Sequence, residues 1–197
     1  MPHCAQQHQP FSLSGVCMVD DEDRSLVCRT LAGDRRAFEQ IVERYQKVIY
    51  NVALRMRSRA EDAEDITQTV FLKAYESLGT YKPRYKFFSW IYRIAVNESL
   101  NFVNRQKQHE ELDQNIPDLD PSAEQVADEH DLTRIVDEGL MRLRVEERAI
   151  IVLNHFHNLS YGEIGYILDI PEKTVKSRLY SARQLLRTKL LKGHLIQ

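Results

Sequence analysis

The chain has 197 residues, with 27 Lys and Arg against 29 Asp and Glu, for a net charge of −2 at neutral pH. That length holds one ordinary domain or two small ones. A content of 28% charged and 43% hydrophobic residues excludes a disordered chain and fits a soluble globular protein. A protein with no positive mean field has little non-specific attraction for phosphate, so any DNA binding needs a local basic patch or a partner.

No apolar run approaches the ~18 residues of a membrane span, and "MPHCAQQHQPFSLSGVC" lacks the basic start and apolar core of a secretion signal. A cytoplasmic location, with reduced thiols, is expected. Cys4, Cys17 and Cys28 are odd in number and lack paired metal-ligand spacing. A zinc or redox role for Cys4 and Cys17 with His3 and His8 is the alternative to incidental cysteines, which are favoured. No metal or cofactor is expected.

Pro83, Pro117, Pro121 and Pro171 all fall between periodic segments, which favours an all-helical protein. A first helix is expected from about Asp21 to Leu31, stopped by Gly33. Asp34 can cap a second, in which Ala37, Phe38, Ile41, Val42, Tyr45, Val48, Ile49 and Val52 recur at helical spacing.

A third helix, "DAEDITQTVFLKAY", begins near Asp62 and is expected to stop at Gly79. At ~100° per residue, Ile66, Val70, Phe71, Ala74 and Leu78 form its buried side. Asp62, Asp65, Thr69, Leu72 and Glu76 gather opposite, with Gln68 alongside. Acids in a first turn suit the helix dipole, and single exposed leucines are common. An acidic face with an apolar centre also suits a basic protein partner, and both readings stay open.

The loop "TYKPRYKFF" is aromatic and basic, and a fourth helix is expected from Ser89. Arg93, Asn97, Asn101 and Asn104 form one polar stripe on it. Three asparagines lower helix propensity but offer donor and acceptor edges for exposed bases beside a loop that can stack them. A merely solvated face is the competing reading. From Glu110 to Asp131 the chain turns acidic and holds two prolines, as a linker does.

The last block contains "LSYGEIGYILDIPEKTVKSRLYSARQLLRTKL". Ser160 with Glu163 makes a capping box, Ile164, Ile167 and Leu168 mark one helix, and Pro171 suits the opening of the next. Val175, Leu179, Ala182 and Leu186 mark that second helix. Two helices joined so tightly form a DNA-binding helix-turn-helix. Thr174, Lys176, Ser177, Arg178, Tyr180, Ser181 and Arg183 are its exposed early positions, within reach of base edges. His155 and His157, two apart, point to nearly opposite sides of a helix and read as structural rather than metal-binding.

"DAEDITQTVFLKAY", "FFSWIYRIAVNESLNFVNR" and "LSYGEIGYILDIPEKTVKSRLYSAR" resemble regions 2.2, 2.3–2.4 and 4.2 of the sigma-70 family. With no third domain between them, the chain is similar to its extracytoplasmic-function subgroup, from about Met18 to Lys192. The resemblance implies an all-α protein of two small helical domains joined by an acidic linker. Its parts would be an unmatched extension (1–17), region 2 (18–108), the linker (109–131) and region 4 (132–197). It implies a non-catalytic promoter-specificity subunit whose partners are core RNA polymerase, promoter DNA and an anti-sigma factor.

By that resemblance Asp62, Asp65, Gln68, Thr69 and Leu72 meet the clamp coiled coil of the polymerase β′ subunit. Tyr81, Lys82, Phe88, Trp90, Arg93, Asn97 and Asn101 open and read the −10 element. Thr174, Lys176, Ser177, Arg178, Tyr180 and Arg183 read the −35 element, and region 4 contacts the β flap. The linker would thread toward the RNA path. The chain departs from the family pattern at "LRVEER", which lacks the usual proline, at Asp169 and Lys173 where glycine is frequent, and at Asn101, Asn104 and Ser181. A stand-alone helix-turn-helix regulator is the other function considered, and the acidic third helix argues against it.

Overall fold

The structure, a computed structural model, describes residues 17–57, 59–112 and 130–194. Among them every regular element is helical: α1 (Cys17–Leu31), α2 (Arg35–Arg57), α3 (Ala60–Ser77), α4 (Phe87–Leu112), α5 (His130–Met141), α6 (Val145–Ile151), α7 (Tyr161–Leu168) and α8 (Glu172–His194). A 3₁₀ turn, Leu78–Thr80, follows α3, and a π-helical segment, Val152–Phe156, continues α6. None of the described helices is long and apolar enough to cross a membrane. Of the alternative cysteine and histidine site before Met18, His3, Cys4 and His8 lie outside the described residues, as does most of the acidic linker.

α1 begins four residues earlier than expected and stops as expected, with Gly33 at φ 99°, a conformation glycine adopts without steric cost. Asp34 then caps α2, its Oδ1 accepting from the backbone N–H of Arg36 at 3.0 Å and of Ala37 at 3.3 Å. Gly79 does not terminate α3 in a left-handed turn: the helix ends at Ser77 and tightens into the 3₁₀ turn instead. α4 starts at Phe87, two residues before Ser89.

α2 is the central strut. Its Ala37, Ile41, Tyr45, Ile49, Val52, Ala53 and Met56 are all buried, and it packs against α1, α3 and α4 on one side and α5 and α6 on the other. The first four helices share a core with Ile66, Val70 and Ala74 of α3 and Phe87, Ile91 and Ala95 of α4. The last four bury Leu140, Ile150, Leu153, Ile164, Ile167, Val175 and Leu179. Gly165 is required where α7 meets the following turn, because an added Cβ would stand 2.8 Å from the carbonyl oxygen of Ile170.

The two halves meet through polar contacts. Arg148, 8% exposed, donates to the carbonyls of Leu140 (2.9 Å), Met141 (2.9 Å) and Leu143 (3.2 Å) and, across the joint, to that of Met56 at the end of α2. Burial and the neighbouring Arg57 pull its pKa down to about 10, still charged at neutral pH. Arg55 lies 4.1 Å over the Phe156 ring and 3.8 Å from Asp137. The Tyr92 hydroxyl and His157 Nδ1 share a hydrogen bond of 2.9 Å, which supports the structural reading of His157.

His157 makes this joint acid-sensitive. Burial first, and Arg55 second, lower its pKa from 6.5 to about 4. The unfolded chain therefore takes up a proton at higher pH than the folded one. Stability from the neutral ring is complete above about 6.5 and is lost as pH falls from there toward about 4. Urea unfolding at about pH 7.5 and about pH 5.5 checks this. Wild-type protein should be less stable at the lower pH, and His157→Phe should flatten the dependence over that interval; an equally steep variant would place the titration elsewhere.

Candidate partner and nucleic-acid interfaces

Three surfaces carry the residues singled out in the sequence. The first is the outer face of α3. Its apolar positions Ala63, Ile66, Val70, Phe71 and Ala74 turn inward, which leaves Asp65, Gln68 and Leu72 exposed and Thr69 half-buried. Leu72 is 66% exposed, on a helix whose exposed residues also include Asp65, Gln68, Tyr75 and Glu76. Asp62 differs from this set. It accepts from the Arg57 guanidinium at 2.8 Å and 3.2 Å, while Arg57 also donates to Gln106 and lies 4.9 Å over Phe102. With only 15% of its side chain exposed, Asp62 ties the start of α3 to α4 before it can serve a partner.

The second surface is the loop 81–86 with α4. Here the structure divides the expected residues by burial. Tyr81 and Trp90 are 9% and 7% exposed; their rings pack on Phe87 at 5.4 Å and 5.5 Å, and Tyr45 reaches Phe87 from α2 at 5.6 Å. They pack in the core, so in this arrangement they brace the loop from beneath rather than present a ring face to solvent. The Tyr81 hydroxyl donates to the Tyr85 carbonyl at 2.7 Å, which fixes the loop's path. Lys82 is exposed, and Phe88 is half-buried with the Lys86 ammonium 5.4 Å from its ring. Asn97, Asn101 and Asn104 form an exposed stripe. Asn101 also lines a shallow cleft between α3 and α4 together with Asp65, Thr69 and Arg105, so it adjoins the first surface. Asn97 does not.

Arg93, the first member of the stripe, is not open to solvent in the same way. Its Nη1 donates to the Tyr166 carbonyl at 3.0 Å, and its Nη2 stands 3.6 Å from Asp169. Tyr85 and Lys86 were not among the expected residues, although both lie in the quoted loop. Tyr85 stacks on Tyr166 at 4.0 Å, and Lys86 pairs with Glu163 at 3.1 Å.

The third surface is α8. Val175, Leu179 and Ala182 are buried and Leu186 packs beside them, the four-three-four spacing of the sequence. Ser160 Oγ accepts from the backbone N–H of Glu163 at 3.3 Å, and the Glu163 carboxylate accepts from Ser160 N–H at 2.9 Å, which completes the capping box of α7. The turn closes with Asp169 at φ 55°, a left-handed position that aspartate tolerates better than most residues. Opposite the buried stripe, Lys176, Ser177, Arg178 and Arg183 are exposed and Tyr180 is 67% exposed, while Thr174 is half-buried. Asn154, in the π-helical segment, holds one of these side chains. Its Oδ1 accepts from Arg183 at 2.8 Å while its Nδ2 donates to the Leu159 carbonyl at 3.2 Å. Nothing in the local pattern marked Asn154, because its partner lies 29 residues away.

The described residues contain no group of three or more His, Cys, Asp or Glu side chains able to hold a metal. The geometry offers an acidic face with one leucine, a polar stripe beside aromatic and basic groups, and a basic helix in helix-turn-helix setting.

Comparison with known proteins agrees with that division. A family model described as Sigma-70 region 2 matches residues 41–109, and one described as Sigma-70, region 4 matches residues 133–186. The chain is 32% identical over 182 residues to the ECF RNA polymerase sigma-E factor of Haemophilus influenzae, covering 85% of this chain and 95% of the relative. It is 34% identical over 170 residues to the ECF RNA polymerase sigma factor SigW of Bacillus subtilis, with 80% and 91% coverage. Among solved structures it resembles CnrH, determined in complex with the cytosolic domain of CnrY, at a TM-score of 0.66 and 26% identity over 88% of this chain and 99% of that one. The fold is also that of the sigma factor RpoE of Bartonella quintana, solved with the anti-sigma factor NepR, at a TM-score of 0.63 and 23% identity over 79% and 96% of the two chains.

Proposed function

The chain belongs to the sigma-70 family, as an extracytoplasmic-function sigma factor, and we propose that α3 docks it on core RNA polymerase, α4 with its preceding loop reads the −10 element, and α8 reads the −35 element. It binds core polymerase and directs promoter-specific initiation. The division into region 2 (18–108), linker (109–131) and region 4 (132–197) follows the same reading, with α4 running on to Leu112. The chain contributes no catalytic step of its own and works in the cytoplasm, where polymerase and promoter are.

Leu72 carries the docking assignment. A leucine 66% exposed within an acidic helical face, inside the stretch matched by the region 2 model, has no partner in its own core. It suits a basic surface with an apolar centre, the character proposed for the β′ clamp coiled coil that meets it. Asp65 and Gln68 flank it in the open, Thr69 sits at the edge, and Asp62 acts by anchoring the helix through Arg57.

On the DNA side, Asn97 and Asn101 offer amides that donate and accept at once, while Lys82, Phe88 and Arg93 supply charge and stacking. Tyr81 and Trp90 support the loop from beneath. On α8, Lys176, Ser177, Arg178, Tyr180 and Thr174 face the groove, with Arg183 steadied by Asn154. The end of α8 exposes Leu185 and Leu191, which suits a contact with the β flap. One structural neighbour was solved with an anti-sigma factor and another with the cytosolic domain of CnrY, and an anti-sigma factor is the regulator proposed for this chain.

Two outcomes check these assignments. Leu72→Glu should lower affinity for core polymerase by about 2 kcal/mol, the cost of an interface anchor, with circular dichroism unchanged; unchanged affinity would remove α3 from the docking surface. Asn97→Ala, away from the cleft shared with α3, should cost ~1–3 kcal/mol of open-complex formation and relax preference at one −10 position, with core binding intact. A pre-melted promoter bubble should restore part of the loss if Asn97 assists strand opening. Unchanged −10 preference on duplex promoters would mark the stripe as a solvated face.

A further inference from the structure

We propose that α7 carries an internal imitation of a stacked nucleotide, occupying the −10 reading surface in the free chain and displaced from it by single-stranded DNA. The proposal rests on the reading of the 81–86 loop and α4 as the −10 surface.

The imitation has a ring and two anions. Tyr166 stacks on Tyr85 with centroids 4.0 Å apart and planes at 23°, a stacked arrangement of the kind an aromatic side chain gives a base. The Arg93 guanidinium lies 5.4 Å from the Tyr166 ring centroid and donates to the Tyr166 carbonyl at 3.0 Å. Three residues before Tyr166, Glu163 pairs with Lys86 at 3.1 Å, and three residues after it Asp169 stands 3.6 Å from Arg93. A nucleotide in a single strand presents the same chemistry, a flat ring flanked by negative oxygens.

The carboxylate of Glu163 is aimed. Its Oε2 is committed to the Ser160 cap, accepting from N–H at 2.9 Å and from Oγ at 2.8 Å, while Oε1 takes Lys86. Burial acts to raise its pKa, but the Ser160 and Lys86 hydrogen bonds prevail and hold it below the usual value. The group is therefore ionised at neutral pH.

The contact is also built to exchange. Arg93 and Lys86 keep 34% and 39% of their side chains exposed, and Asp169 keeps 83%, so each pair is individually weak and screened by salt. Asn97 and Asn101 stay exposed beside it, where a strand can first land. A strand that stacks on Tyr85 and pairs with Arg93 takes the position of Tyr166, so the two occupants exclude each other.

The test is fluorescence anisotropy of the full chain, without polymerase, against a fluorescein-labelled pool of random single strands about 12 nucleotides long. Tyr166→Ala should bind roughly five- to tenfold more tightly than wild type, the scale of one stacking contact. Tyr166→Phe, which keeps the ring, should behave as wild type, and adding Tyr85→Ala to Tyr166→Ala should abolish the gain. No gain in folded Tyr166→Ala, or a gain that survives Tyr85→Ala, overturns the proposal. If Tyr166→Ala does not fold, Asp169→Asn, which tolerates the left-handed turn, must show a smaller gain or the proposal fails. Holoenzyme on a pre-melted promoter separates the two levels. Altered −10 preference in Asn97→Ala holoenzyme, with no gain in the free-chain variants, sinks only the imitation; unchanged −10 preference there sinks the −10 assignment beneath it.

Discussion

A guanidinium removed from water must be solvated by protein, and Arg148 is solvated by backbone carbonyls. Those of Leu140, Met141 and Leu143 come from the end of α5 and the turn after it, and that of Met56 comes from the end of α2. Carbonyls at helix ends lack intrahelical partners, so the side chain satisfies acceptors there while they stabilise its charge, the Leu140 carbonyl also accepting from the Leu143 N–H at 3.0 Å. Buried charge left without such partners costs several kcal/mol. The joint between the halves is therefore set by where these carbonyls converge, and that placement brings α7 over the start of α4.

The charge balance follows from the same arrangement. With a net charge of −2, the chain has no broad positive field, and its cations are spent locally. Arg93 and Lys86 face Asp169 and Glu163, while Lys176, Arg178 and Arg183 remain exposed on α8. A specificity subunit delivered to DNA by polymerase needs base contacts more than bulk phosphate attraction. In the proposed reading, the acidic face of α3 takes the first task of binding polymerase, and the polar stripe of α4 and the basic face of α8 take the second.

Much of this was legible in the sequence because it is local. The Ser160–Glu163 box, the Asp34 cap and the Val175–Leu179–Ala182 stripe each depend on residues within a few positions, and helical periodicity reports them directly. Leu72 and Asn97 emerged on exposed faces for the same reason. The burial of Tyr81 and Trp90 was not legible, because an aromatic residue beside a loop reads alike whether it is open or packed, and only the packing with Phe87 and Tyr45 shows which. Asp62 belonged to the acidic face by angle, yet Arg57 folds back to claim it. The contacts Arg148 to Met56, 92 residues apart, and Arg93 to Tyr166, 73 apart, leave no periodic trace. The joint between the halves was therefore invisible until the fold was in hand.

The most direct measurement of the central claim is reconstituted transcription with core RNA polymerase on a library of randomised promoters, reading transcript starts against template sequence. The account predicts that transcripts require both the chain and the core enzyme, and that active templates share two motifs, one in each of the −10 and −35 windows. Transcripts indifferent to either window would contradict the assignment of that element's reader. Selection of duplex DNA by the chain alone, with no transcription when core polymerase is added, would contradict the account as a whole.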